Sequence, residues 1–397
     1  MTLRAGRYEL LDTIASGGMA TVHLGRAVGA GGFERLVAIK TMHPHLSSEP
    51  DFVAMFLDEA RLAARIRHPN VVGTIDIQQD ELGLLLVMEY VEGPSMAQII
   101  RAQAKQKTTV PIEITLRLML DMLAGLHAAH ELCNSSGEPL NVVHRDVSPQ
   151  NVLVGVDGIA RIMDFGVARA ESRIASTRSG DAKGKLVYMA PEQAAQKELD
   201  RRADVYAAGL VFWELLVGRR LLRGDNDLVV MHQIFHAVHP SPHEAIPAIP
   251  REISDVVMQA IAREPADRFP TTAAFADAID RAARATNTPI ASTKGVAEFV
   301  RALNLHKSPN EVISASRSLP APSSIRTMPS AATDGISAPN SVLPKIEIST
   351  GPTSTESRGG FATTPAATSP PKASGRKAIL LVSIGGALLF GAILWFA

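Results

Sequence analysis

The chain has 397 residues, room at roughly 150 per domain for one large two-lobed domain, or two to three small ones, with appendages. Its 40 Lys and Arg balance 40 Asp and Glu, which excludes an affinity built on wholesale neutralisation of nucleic-acid phosphates, so no nucleic-acid partner is expected. The single cysteine, Cys133, excludes an intrachain disulfide framework and fits a reducing compartment. Met1 to Gly18 alternates polar and apolar residues, without the apolar run of a secretory leader.

Tyr8 to Ile14 reads as a strand, the small residues from Ala15 to Ala20 break it, and Thr21 to Arg26 reads as a second strand. Such a turn lets backbone N–H groups approach phosphate oxygens, although on its own it is an ordinary β-turn. Leu36 to Lys40 is an apolar strand ending in lysine, and a lysine there must snorkel or find an anion. The next segment predicts a helix with Ser48 and Asp51 as a capping box, Pro50 in the first turn, and an inward face of Phe52, Phe56, Ala60, Ala63 and Ile66. Glu59 lies beside that face and by itself reads as a solvated charge. His68-Pro69-Asn70 ends the helix, and Val71 and Val72 begin a strand.

Farther on, the stretch from Val142 to Val154 places Asp146 and Asn151 on a loop flanked by apolar runs, and Asp164 follows in Arg161-Ile162-Met163-Asp164-Phe165-Gly166. Asn151 and Asp164 are oxygen donors of the kind Mg²⁺ takes beside waters and phosphate oxygens. Asp146 is left to orient or deprotonate a hydroxyl nucleophile. The histidines at 232, 236, 239 and 243 have metal-like spacing, but Pro240 and Pro242 interrupt it and no transition metal is assigned.

Taken together, these segments make the chain resemble the eukaryotic-like (Hanks-type) serine/threonine protein kinases of bacteria, over about Tyr8 to Ala283. Met88 to Val91 matches the hinge, Ala190-Pro191-Glu192 the close of the activation segment, Asp204-Val205-Tyr206 with Gly209 a C-lobe helix, and Arg268 the domain end. The resemblance implies an α+β, two-lobed protein kinase fold with a β-rich N-lobe and a helical C-lobe, using ATP and Mg²⁺ on protein substrates. It also implies roles. Ile14, Ala15, Ser16, Gly17, Gly18, Met19, Ala20, Thr21 and Val22 would cover the phosphates, and Lys40, held by Glu59, would reach the α and β phosphates. Ala38, Val22 and Leu153 would sandwich adenine, with backbone bonds from Glu89 and Val91. Asp146 would serve the substrate hydroxyl, Asn151 and Asp164 would hold Mg²⁺, and Glu192 would pair with Arg268.

Four positions depart from the family pattern. Ala15 and Ala20 replace the first and third glycines of the phosphate loop, which is tolerable if Gly17-Gly18 makes the sharp bend. Ser148 stands where these kinases carry a lysine, and Lys185 where they carry a threonine, as if the two had exchanged places. Lys185 is therefore a candidate catalytic cation. Arg145 before Asp146 implies control by activation-segment phosphorylation, with Ser172, Ser176, Thr177 and Ser179 as acceptors. The departures also motivate an alternative, a nucleotide-binding pseudokinase scaffold. A small-molecule phosphotransferase is disfavoured by Ala190-Pro191-Glu192, and tyrosine specificity ranks below serine/threonine.

The expected domains are a kinase domain at 8–284, a mostly disordered Ser/Thr/Pro/Ala-rich linker at 285–377 and a transmembrane helix at 378–397. Within the linker, Lys294 to Leu305 has Val296, Phe299, Val300 and Leu303 at helical spacing and predicts one small docking helix. No charge interrupts Ala378 to Ala397, and Lys372, Arg376 and Lys377 just before it predict a single-pass anchor in the inner (cytoplasmic) membrane, kinase domain in the cytoplasm. Ser383, Ala387 and Gly391 share a helical face that offers a possible homodimer contact. Residues 285–397 hold ten Lys and Arg against five Asp and Glu, so the balanced total hides an acidic domain on a basic arm.

Overall fold

The structure is a computed structural model, and it describes residues 3–80, 83–165 and 186–305. The N-terminal half forms a six-stranded antiparallel sheet of β1 (Leu3–Ala5), β2 (Tyr8–Ser16), β3 (Ala20–Val28), β4 (Glu34–Met42), β5 (Thr74–Asp80) and β6 (Gly83–Glu89), in the order β1-β2-β3-β4-β6-β5. The two-residue period of β4 decides what each face does. Val37 and Ile39 point to one side, into an apolar cluster with Tyr8, Leu10, Leu85 and Val87. Ala38 and Lys40 point to the other, where the register pairs Lys40 with Val22 and Leu86, and Ala38 with Leu24 and Met88.

Helix α1 (Pro44–Ser47) and helix α2 (Pro50–Ala63) follow β4. The expected capping box is not formed. Glu49 is the N-cap of α2 and accepts no side-chain bond, while Ser48 ends α1 with its hydroxyl donating to the His45 carbonyl at 3.2 Å. The break between the two helices at Ser48-Glu49 uses Ser48 for the first helix and leaves no hydroxyl to cap the second. Of α2's residues only Ala60 is buried, so this helix has little apolar anchorage of its own. Val71 and Val72 precede the next strand instead of opening it, and Val71 bridges to Ile162.

The C-terminal half is helical: α3 (Met96–Lys105), α4 (Ile112–His130), α5 (Pro191–Ala194), α6 (Arg202–Val217), α7 (Asp227–His236), α8 (Pro242–Ala245), α9 (Arg251–Ala260), α10 (Thr272–Ala285) and α11 (Thr293–Leu303). A small hairpin, β7 (Val152–Val154) with β8 (Ala160–Ile162), sits on α4. Helix α6 is apolar on every side, and each residue from Ala203 to Val217 is buried, which makes it the axis on which α4, α9 and α10 pack. Gly209 lets α9 come close, since a Cβ there would lie 2.7 Å from Ile261 Cγ2.

The expected Glu192–Arg268 pair is present and buried. Both guanidinium nitrogens reach the carboxylate, at 2.6 and 2.8 Å, and the other donors serve the Ala262, Arg202 and Arg263 carbonyls. The predicted docking helix is α11, seated on α4 with Val296, Ala297 and Val300 buried. Lys185, the four candidate phosphoacceptors, most of the linker and the 378–397 span lie outside the described residues. Among the described residues, no helix is long and apolar enough to cross a membrane.

Removing one member of a buried, fully bonded ion pair strands the other. Arg268→Ala is therefore expected to lower the unfolding free energy by about 3–5 kcal/mol in denaturant titration, and a loss below about 1 kcal/mol contradicts this account of the pair.

Candidate active site

The cleft is organised by one ammonium. Lys40 Nζ lies 2.8 Å from Asp164 Oδ1 and 3.1 Å from Glu59 Oε1. Burial works against the charge, but Asp164 and then Glu59 outweigh it and hold the lysine's pKa above its ordinary value. The lysine comes from β4, the glutamate from α2 and the aspartate from the turn after β8, so three elements meet at one cation. Asp164 has a positive φ of 59°, and the next residue, Phe165, is buried against the His144 ring with centroids 4.7 Å apart.

The loop carrying Asp146 hangs from α6. Buried Asp204 accepts the His144 and Arg145 backbone N–H groups at 2.7 and 2.9 Å and bonds His130 Nε2 at 2.7 Å. Burial pushes the Asp204 carboxyl up, but these bonds, His130's first, outweigh it and hold its pKa below the usual range. The Asp146 N–H donates to His144 Nδ1 at 3.2 Å, so the imidazole proton sits on Nε2, which bonds the Met163 carbonyl at 3.1 Å. Asn151 Nδ2 donates to the Asp146 carbonyl at 2.7 Å and to its Oδ2 at 3.2 Å. With the amide nitrogen so engaged, the carbonyl oxygen is the Asn151 side chain's acceptor for a cation.

A cavity of about 960 Å³ lies between sheet and helices. Its lining includes the expected residues Ile14, Ala15, Ser16, Gly17, Gly18, Met19, Ala20, Val22, Ala38, Lys40, Glu59, Glu89, Val91, Asn151, Leu153 and Asp164. Thr21 does not line it. The alternation of β3 turns its hydroxyl to His43 Nε2, 3.1 Å away, and to Ser16 Oγ. Asp146 also lies off the lining, buried and bonded to Asn151, which does line it. The Glu89 N–H is already taken by the Gly73 carbonyl at 2.8 Å, whereas Val91 has no backbone partner among the described residues. Ala15 and Ala20 lie within β2 and β3, and neither Gly17 nor Gly18 has a positive φ. The bend therefore needs no left-handed residue, and the two alanines cost the loop nothing in backbone strain.

The protein kinase domain family model matches residues 8–278. The chain belongs to the protein kinase family. Among curated kinases, the tyrosine-protein kinase MasK of Myxococcus xanthus is 45% identical over 275 residues, covering 69% of this chain and 43% of MasK. The serine/threonine-protein kinase PksC of Streptomyces coelicolor is 34% identical over 281 residues, 69% of this chain and 49% of its own. PrkC of Bacillus subtilis, also a serine/threonine-protein kinase, is 31% identical over 267 residues, 67% of this chain and 39% of PrkC. The chain thus spans less than half the length of these relatives. The Mycobacterium tuberculosis PknI kinase domain shares the fold, with a TM-score of 0.53 at 24% identity, over 71% of this chain and 98% of that one.

Two elements of the kinase cleft escape the sequence reading. The Asp204 hub joins residues 60 and 74 apart, a pairing that no local pattern announces. The phosphate loop is tied back by the His43 N–H, which donates to the Met19 carbonyl at 3.0 Å.

Asp204's depressed pKa has a defined acid signature. Its stabilisation is complete above the unfolded-state value of about 3.9 and is lost as pH falls through the folded value. The gap in unfolding free energy between wild type and Asp204→Asn is expected to narrow from about pH 7 to about pH 3. A gap that stays constant or widens contradicts the assignment.

Proposed function

We propose that the chain is a serine/threonine protein kinase that transfers the γ-phosphoryl group of ATP to protein hydroxyls at a membrane. The observation that carries this reading is the joint engagement of Lys40 by Glu59 and Asp164, with Asn151 locked onto Asp146 beside it. A nucleotide-binding scaffold has no use for all five groups in one arrangement.

Lys40 orients the α and β phosphates, and Glu59 keeps its ammonium from swinging away. Ala38, Val22 and Leu153 present apolar surface to adenine, while Val91, without a backbone partner among the described residues, offers its backbone groups at the hinge. Asp146 accepts the proton of the attacking hydroxyl as its oxygen bonds to the γ phosphorus and the bond from that phosphorus to the β-bridging oxygen breaks, releasing ADP. The Asn151 carbonyl and the Asp164 carboxylate are hard oxygen donors that fit Mg²⁺, whose charge neutralises the phosphates when bound. The rest is positioning, so a displaced Lys40 or Asp146 weakens transfer more than a lost contact elsewhere.

PksC and PrkC support Ser/Thr as acceptors, and MasK supports a second reading, tyrosine. Lys185 is proposed to supply the cation that Ser148 lacks. Arg145 is proposed to take an activation-segment phosphate, and its Nε is buried without a hydrogen-bond partner among the described residues. Residues 378–397 are proposed to anchor the kinase in the inner membrane, supported by about twenty uncharged residues behind three cations.

The full chain with γ-labelled ATP, Mg²⁺ and a generic protein is expected to label serine and threonine, with the rate lowered about 10²–10⁴-fold in Asp146→Asn. Binding of ATP without transfer would favour a scaffold, and phosphotyrosine would move the assignment to MasK's acceptor. Lys185→Ala is expected to slow transfer as well, and an unchanged rate removes it from the site.

A further inference from the structure

The family match ends at residue 278, yet the folded chain continues to 305 and turns back to the catalytic cleft. After α10, the Ala291 N–H donates to the Glu113 carbonyl at 3.0 Å, and Arg117 Nε donates to the Ala291 carbonyl at 3.2 Å. These bonds pin the chain to α4. Ser292 then caps α11 by accepting the Gly295 N–H at 3.2 Å.

Helix α11 lies directly on the turn of the β7–β8 hairpin. At Gly158, with φ of 82°, a Cβ would fall 1.9 Å from the Thr293 carbonyl oxygen and 2.9 Å from the Ala297 nitrogen. Backbone touches backbone there, which only glycine permits. At its other end, Arg301 Nη2 donates to the Val156 carbonyl at 2.8 Å. The same hairpin is bonded to the chain leaving the hinge, Val156 N–H to Glu92 at 2.7 Å and Val154 N–H to Pro94 at 2.8 Å. Asn304, left-handed at φ 49°, then ends the helix and turns the chain. Leu305 follows, half-buried against the C-lobe core, and it lines the nucleotide cleft together with Ser95, Gln98 and Arg101 at the start of α3.

We propose that Leu305 is a nucleotide-pocket residue, and that α11 is the strap that brings it to the mouth of the ATP site from beyond the family's domain. The proposal rests on the kinase reading above. The side chain shields one apolar edge of the nucleoside from water. Residues 286–305 are in this view part of the catalytic unit, and whatever displaces α11 loosens nucleotide binding.

The test is nucleotide titration and steady-state kinetics on the full chain. Leu305→Ala is expected to raise the Kd for ATP about five-fold, the effect of partly burying one leucine, and to act on KM for ATP more than on kcat. Leu305→Met, of similar volume, should recover most of the affinity. Arg301→Ala, which releases the far end of the strap, should reproduce the weakening. Glu298→Gln, on the exposed side of α11, should bind as the wild type does. Wild-type affinity in both Leu305→Ala and Arg301→Ala overturns the strap while leaving the kinase reading intact. So does a loss confined to kcat and thermal stability that Leu305→Met fails to rescue. A wild-type chain that binds no ATP overturns both.

Discussion

Everything in the cleft depends on a buried ammonium shared by two carboxylates. Glu59 and Asp164 are like charges brought to within hydrogen-bond reach of one atom, and without Lys40 their repulsion in a poorly hydrated site would drive them apart. Lys40 in turn could not stay charged at that depth without them. The dependence is mechanical as well as electrostatic. Helix α2 has one buried residue and no side-chain cap, so the bond from Glu59 to Lys40 is a main reason for it to rest where it does. A helix held by a polar contact can be moved by whatever competes for that contact, and regulation has an obvious point of purchase there.

The other half of the site is fixed differently. Asp146 and Asn151 sit on a loop suspended from Asp204, in the first turn of a helix buried on all sides. The two supports, a loosely anchored α2 and a rigid α6, divide the cleft into a part that can shift and a part that cannot. That division suits a transfer reaction in which the nucleotide must enter and leave while the acceptor position stays fixed.

Much of this was legible in the sequence because it follows short-range rules. The apolar run from Leu36 singled out Lys40 at its end, and the spacing of Asp146, Asn151 and Asp164 put three oxygen-bearing side chains on neighbouring loops. Strand alternation, applied to β3, would have turned Thr21 away from the cavity. Ser48 misled because its hydroxyl serves the preceding short helix. Past the composition change near residue 285, the helical spacing of Val296, Phe299, Val300 and Leu303 was enough to mark one more helix, and Val296, Ala297 and Val300 seat it on α4. Asp204 and Leu305 act through partners far away in sequence, and no periodicity reports such meetings.

The central claim is that the charges assembled around Lys40 serve phosphoryl transfer and not merely nucleotide binding. Glu59→Gln separates the two most directly, because it keeps the side chain's size and removes only its charge. In a single-turnover experiment with γ-labelled ATP, the account predicts a transfer rate lowered by about 10²-fold with ATP still bound. Transfer at the wild-type rate in Glu59→Gln, or a wild-type chain that binds ATP and transfers nothing, contradicts it.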